Sequence, residues 1–339
     1  MDNLDFLNAI VLLTNFIVVP ALTYGSQLAL GALGVTLIYS VLRFSNFSHG
    51  EFMSFGTMIT ILVTWFFQKN NITIYPFPTA LLALPVGIIF TIFLVITLDF
   101  FVFKYHREKK SSPVTFLIAS IGLMFFIGGI VRFTIGPNDQ VFSDGQRFII
   151  KAKYFKEFTG LSEGLAIKMS QGITVITAFF VVSFIFWFLS STKTGKSMRA
   201  YSDNENLALL SGINPDKVVT ITWILVAILA AIAGVLYGLD KSYKPFSYMQ
   251  LVLPIFASAI VGGVGNPLGA IAGGYVIAFS ELIITFAYKR FIGYLVSDDF
   301  KPEGLMQILS TDYKIAVSFL ILVLVLIIKP TGLFSGKTI

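Results

Sequence analysis

Cysteine is absent from this chain, and histidine occurs only as His49 and His106. The first absence excludes disulfides, iron–sulfur clusters and thiol chemistry while leaving the compartment open. The second means that a zinc site would have to recruit carboxylates for its remaining ligands. No metal site and no cofactor are expected on the chain itself. Charge is scarce as well, at 12% of residues. The balance of 24 basic to 18 acidic side chains leaves a net charge of +6. That excess suits side chains facing lipid headgroups better than a nucleic-acid interface, so nucleic acid is not an expected partner. A basic n-region is missing too: Asp2 and Asp5 stand near Met1 with no small-residue cleavage site after them, and no cleaved signal peptide is expected.

A phosphate-binding loop is also lacking. The pattern G-x-x-x-x-G-K-[ST] would place its leading glycine at Ser190 for the fragment Gly195-Lys196-Ser197, and at Thr331 for Gly336-Lys337-Thr338. Gly332 is one residue too close. Neither fragment follows a strand or opens a helix, so nucleotide binding by this chain is not expected.

What is present is hydrocarbon: 56% of residues are hydrophobic and the mean hydropathy is +0.84. Apolar runs of roughly 20 residues cross a bilayer, and runs of this kind recur at 20–42, 52–67, 79–103, 114–134, 172–190, 216–238, 268–288 and 313–328. Shorter pieces at 6–19 and 251–261 suit interfacial, re-entrant or half-helical segments. The expectation is an all-α integral membrane protein, a polytopic bundle of eight to ten transmembrane or half helices forming one domain over 1–339. Within the runs, apart from Asp216 at the very start of 216–238, Asp99 and Glu281 are the only acidic residues. A carboxylate inside a membrane is a functional candidate by default, although one near the interface costs little.

The polar junctions carry more information. The stretch 135–171 holds "GPNDQVFSDGQRFIIKAKYFKEF" and reads as one extramembrane loop, made basic by Arg147, Lys151, Lys153 and Lys156. "KYHREKK", 104–110, is a short basic junction in which His106 reads as an exposed loop residue. Alternation leaves nearly equal basic counts on the two sides, so the excess of Lys and Arg does not orient the chain.

"MRAYSDNENLALLSGIN", 198–214, is a polar run between two apolar stretches and the most informative part of the sequence. Ser202-Asp203-Asn204-Glu205 has the form of a capping box, and Asp203 and Glu205 suit the positive end of a helix dipole. Leu207 and Leu210 then fall on one face. Gly212 supplies a left-handed C-terminus, and Asn214-Pro215 an N-cap with a first-turn proline for the next span. The spacing predicts a helix of about two turns, too short to be stable alone. Something must pack against it.

The segment "MRAYSDNENLALLSGINPDKVVTITWILVAILAAIAGVLYG" resembles the cytoplasmic-loop signature of permease subunits of ABC importers of the branched-chain amino acid type. "LALGALGVTLIYSVLRFSNFSHGEFMSFG" is similar to the family's first span and its Asn-Phe-Ala-His-Gly-Glu segment, with Ser48 in place of Ala. "LVLPIFASAIVGGVGNPLGAIAGGYVIAFSEL" resembles its Gly-rich segment, and "STDYKIAVSFLILVLVLIIKPTGLFSG" its last span. The resemblance runs in order over about 20–336 and is closest to the first of the family's two permease subunits.

The resemblance implies that 191–215 is cytoplasmic and holds a coupling helix that docks on an ATPase, with Leu207 and Leu210 as anchors, Arg199, Asp203 and Glu205 as polar rim, and Gly212 as its terminator. It places 135–171 outside. It implies a second homologous permease subunit, two cytoplasmic ABC ATPase subunits that use ATP and Mg, an extracytoplasmic substrate-binding protein, and a prokaryotic inner membrane. Alternating access for branched-chain or related amino acids follows, with urea or short amides as alternative solutes of the same permease type.

Inside the membrane the chemistry is spare. "SNFSHGE", 45–51, is the one cluster combining Asn, Ser, His and Glu. Asn46, His49 and Glu51 either satisfy the backbone where the chain breaks, His49 pairing with Glu51, or line or gate a path. "GGVGNPLG" should break a helix at Asn266-Pro267, so Gly262, Gly263, Gly265 and Asn266 make a second interrupted segment; by analogy with transporters, such breaks line a midplane path. Gly265, Gly269 and Gly273, like Ala230, Gly234 and Gly238, recur at a spacing that lets helix backbones approach closely. Two other classes remain: a self-sufficient secondary transporter or channel, which should carry ionisable residues deep in several spans, and an intramembrane enzyme, which needs reacting groups converging from several helices.

Overall fold

The computed structural model describes residues 3–142, 144, 147–296 and 304–334. The fragment Gly336-Lys337-Thr338 lies outside the described residues. The helices are α1 (Asn3–Leu13), α2 (Val19–Leu42), α3 (His49–Lys69), α4 (Ala80–Leu98), α5 (Lys104–Glu108), α6 (Pro113–Ile135), α7 (Ala152–Thr159) and α8 (Met169–Ser191). They continue as α9 (Lys193–Asp203), α10 (Glu205–Leu210), α11 (Pro215–Asp240), α12 (Pro245–Gly262), α13 (Pro267–Thr285), α14 (Lys289–Leu295) and α15 (Lys314–Ile328). Among the described residues, 9 helical segments are long and apolar enough to cross a membrane. The fold is an all-α, multi-pass membrane bundle.

Two expectations about the spans change. Residues 6–19 are not a separate short piece: α1 and α2 join through a π-helical turn, Thr14–Val18, into one segment from Leu4 to Leu42. Pro20 explains the turn, because its ring clashes with the carbonyl of the preceding turn and it donates no hydrogen bond, and a widened turn relieves both. Likewise 251–261 is the inner part of α12, which starts at Pro245. A second π-turn, Asp99–Phe103, joins α4 to α5.

Small residues set the centre of the bundle. Helix α11 is the most enclosed span, 78% buried, and α2 packs against α11 and α13. A Cβ on Gly234 would lie 2.5 Å from the Met53 carbonyl, and one on Gly274 would lie 2.7 Å from the Ala29 amide nitrogen. These positions hold backbones in contact, where a membrane bundle gains packing energy. At the other extreme α15 is only 11% buried, and its row of Leu, Val and Ile faces outward, as a lipid-contacting helix does.

The stretch expected as one loop, 135–171, contains the antiparallel pair β1 (Phe148–Ile150) and β2 (Ile167–Lys168) flanking α7. It is tied down through Glu163, a buried carboxylate that accepts from Arg290 at 2.6 Å and from the Tyr294 hydroxyl at 2.8 Å, while its amide donates to Asn8 at 3.0 Å. Gln140 bridges to Tyr243 between α11 and α12. This end of the bundle is called the loop end below, and the end bearing α9 and α10 the coupling end.

Candidate functional site

The chain leaves α2 at Arg43, whose φ of 58° is left-handed, and turns back into the bundle. Asn46 organises the return: its Oδ1 accepts from the Ser48 amide at 3.1 Å and the Ser48 hydroxyl at 2.6 Å, a local side-chain turn of the kind Asn favours. The Phe47 amide donates to Ser120 of α6 at 3.1 Å. Helix α3 then starts beside Gly34, not beside the end of α2: a Cβ on Gly34 would sit 2.7 Å from Cε1 of His49. Gly34 is about 12 Å back along the α2 axis from Leu42 at the helical rise. The break expected in "SNFSHGE" is therefore real, and it sets the start of α3 inside the bundle.

His49 and Glu51 do not pair. Two residues apart on a helix they face different directions. His49 is 1% exposed, its ring lies against Gly34 near the Gly31 carbonyl, and neither nitrogen has a well-formed hydrogen bond. Glu51 points instead towards α6: a Cβ on Gly128 would lie 3.1 Å from both Oε1 of Glu51 and a guanidinium nitrogen of Arg132. No salt bridge joins Glu51 to Arg132, and Oε2 of Glu51 has no partner although the residue is 1% exposed. Arg132 lies over the Phe246 ring at 5.1 Å, and the Tyr243 hydroxyl meets Ser54 at 3.1 Å.

Arg132, Tyr243 and Ser54 are neighbours the sequence reading did not name. Arg132 carried a signal, being a lone cation near the end of an apolar run; nothing local marked Tyr243. Glu51 also lies inside a span because α3 begins at His49, so Asp99 and Glu281 are not the only acids in the spans. Asp99 accepts from Trp223 Nε1 at 2.7 Å and pairs with Arg107 at 2.5 Å. His106 is half-buried against Phe116, not a free loop residue.

Gly262, Gly263, Gly265 and Asn266 do not join this group. Gly263 and Gly265 have φ of 112° and 86°, and Asn266 caps α13, accepting from the Gly269 amide at 3.2 Å. They form the turn between α12 and α13. Asn266 Nδ2 donates to the Phe334 carbonyl at 3.0 Å, and the turn packs against Gly332. Tyr248, which α12 presents to Gly50, is about 21 Å up that helix from Gly262 at the helical rise. Two breaks meeting at one midplane site is therefore not what the fold builds; the second is a tight helical hairpin.

The coupling end is close to expectation, with one correction. α10 is a separate short helix ended by Gly212 at φ 79°, and Asn214 with Pro215 opens α11. The N-cap, however, is Asn204, whose Oδ1 accepts from the Leu207 amide at 3.1 Å. Ser202 still belongs to α9 and its hydroxyl donates to the Ser40 carbonyl at 3.0 Å, while Glu205 accepts from the Tyr201 hydroxyl at 2.8 Å. Burial first, then the Glu205 carboxylate, pushes the Tyr201 hydroxyl pKa up. Arg43 donates to the Ser202 carbonyl. Leu207 and Leu210 are 61% and 85% exposed, two large apolar side chains on a short helix left open by the described residues. Arg199 lies mostly against its own chain, donating to the Ser190 carbonyl at 3.4 Å, whereas Asp203 and Glu205 stand at the α9–α10 junction, both exposed.

Residues 17–326 match the family model described as branched-chain amino acid transport system, permease component. The chain is 27% identical over 319 residues, 92% of each chain, to the high-affinity branched-chain amino acid transport system permease protein LivH of Salmonella typhimurium. It is 25% identical, over 94% of each chain, to the corresponding permease protein BraD of Pseudomonas aeruginosa. A shorter match, 28% identical over 163 residues, covers 47% of this chain and 45% of the probable permease LivM of Methanocaldococcus jannaschii.

Proposed function

This chain belongs to the permease-component family of branched-chain amino acid transport systems, and on that premise we propose that it is the first of two membrane subunits of an ATP-driven importer. A second homologous permease completes the membrane unit, two cytoplasmic ABC ATPases drive it, and an extracytoplasmic binding protein delivers the solute. Branched-chain or related amino acids are the solute class. The chain binds no nucleotide; ATP and Mg belong to the ATPases. Nucleotide-driven closure of the ATPases moves α10, and the bundle switches its opening from the loop end to the coupling end.

The observation that carries this reading is the exposed pair Leu207 and Leu210 on a helix capped at both ends. A short helix holding two uncovered leucines outside the bundle fits the helix-in-groove mode of recognition. Replacing both with Asp puts charge where an apolar groove must close, which is costly without a partner. The double variant is expected to insert normally and to lose the ATPase in a pull-down from detergent. Retention of the ATPase at the wild-type level would overturn the assignment of α10.

A further inference from the structure

One cavity of the molecule does not involve Glu51. About 190 Å³ opens at the loop end, among the first turns of α2 and α12, the last turns of α11 and α13, and the start of α15. That exceeds the ~150 Å³ apolar cavity that admits benzene in an engineered protein, so a solute of similar bulk has room. Three charged side chains line it, Glu281, Lys314 and Lys241. Glu281 is 2% exposed and accepts from the Ser318 hydroxyl. Lys314 lies on the same wall yet forms no salt bridge with Glu281 or any other acid among the described residues. Lys241, at the rim, is engaged by Asp240 at 3.3 Å. The rest of the lining combines the apolar Leu251, Leu282 and Ile315 with polar Tyr24, Tyr237, Ser247 and Gln250, the Tyr24 hydroxyl donating to Glu281.

We propose that this cavity is a receiving subsite for a free α-amino acid zwitterion, its ammonium towards Glu281, its carboxylate towards Lys314 and its aliphatic side chain against Leu251, Leu282 and Ile315. A carboxylate and an ammonium held on one wall without closing on each other leave an arrangement that a zwitterion completes at both ends, and charge-assisted hydrogen bonds supply the orientation. Neither a monovalent amine nor a monovalent acid completes both. The cavity lies at the end that receives solute in the proposed import cycle, and the inference rests on that reading. A zwitterionic lipid headgroup offers the same pair of charges, and the choice of lipid below separates the two sources.

Because the chain has no cysteine, Gln250→Cys places a single reporter at the cavity wall. The assembled importer, reconstituted in phosphatidylglycerol vesicles whose headgroups carry no ammonium, is treated with an impermeant maleimide, and modification is followed on this chain by mass. Leucine at about ten times its dissociation constant is expected to slow labelling about tenfold by mass action. 4-Methylpentanoate and 3-methylbutylamine, each lacking one charge, should protect far less at the same concentration. Adding Glu281→Gln or Lys314→Gln to the reporter should abolish protection by leucine, and Lys314, half-buried at the start of α15 where Glu281 is buried, keeps that arm informative if the Glu281 variant assembles poorly. Absence of leucine protection in an importer that takes up leucine overturns the inference alone. Equal protection by the two singly charged analogues overturns it as well, since the cavity would then be merely apolar. Protection appearing only in phosphatidylethanolamine vesicles without leucine would assign the cavity to lipid. An assembled importer that takes up no leucine, with its binding protein present, would instead remove the functional reading beneath it.

Discussion

At Glu51 the chain buries a carboxylate beside an arginine without joining them, and leaves one oxygen with no partner. Such an arrangement is expensive as a structural device, and it is therefore a candidate for the working part of the passage. Glu51→Gln keeps the shape and the hydrogen-bonding capacity while removing the charge. It is expected to assemble at near wild-type yield and to lower ATP-driven uptake per assembled complex by about tenfold or more, whereas His49→Gln, with the ring wedged against Gly34, is expected to reduce yield more than uptake per complex; both quantities are measured on the same preparation. The chain break at "SNFSHGE" was legible because it is the one cluster that combines Asn, Ser, His and Glu between two apolar runs. The pairing within it was not, because helical geometry turns residues two apart away from each other and the neighbours that count, Arg132 and Tyr243, come from distant parts of the chain.

Among the elements, the α9–α10 junction shows both the reach and the limit of local pattern. Gly212 and Asn214-Pro215 were legible as stop and start signals because positive φ and the fixed ring of proline are local requirements. The S-x-x-E pattern misled because Asn204, with an extended φ of −153°, takes the cap, and the Ser202 hydroxyl is drawn off by the Ser40 carbonyl on another helix. Asn204→Ala should therefore loosen α10, with a loss of about 1 kcal/mol as for other caps, and weaken ATPase retention by roughly fivefold. Ser202→Ala is not expected to mimic it. Graded salt or detergent washes of the captured complex distinguish the two variants. At the π-turn before Pro20 a continuous helix survives only because the turn widens.

For the whole molecule, the order of spans, and their number to within eight to ten, were legible from hydropathy alone, since only helices satisfy their own backbone in lipid. The long loop 135–171 was not: that it carries a hairpin and a helix and is latched to α1 and α14 through Glu163 depends on contacts remote in sequence. Its side of the membrane can be measured directly. Lys156→Cys, on the exposed face of α7, should react with a membrane-impermeant thiol reagent in intact cells, against a background to which this chain contributes no thiol. Labelling that requires opened membranes would invert the whole topology.

The left-handed turn at Arg43 gives the molecule a lever. Arg43 and Ser40 hold Ser202 of the coupling segment, and only the short connection 44–48 separates that grip from the first turn of α3, which carries Glu51. A push delivered at one end of this arm has little slack to absorb it, because Asn46 and Ser48 stiffen the middle. In the proposed import cycle, a motion of α10 is thus passed to the Glu51 carboxylate over a single short stroke. Arg43→Ala cuts the grip and leaves the docking face untouched, so the importer should idle: ATP hydrolysis persists while the number of solute molecules moved per ATP falls severalfold, a ratio read by measuring both rates on one set of vesicles.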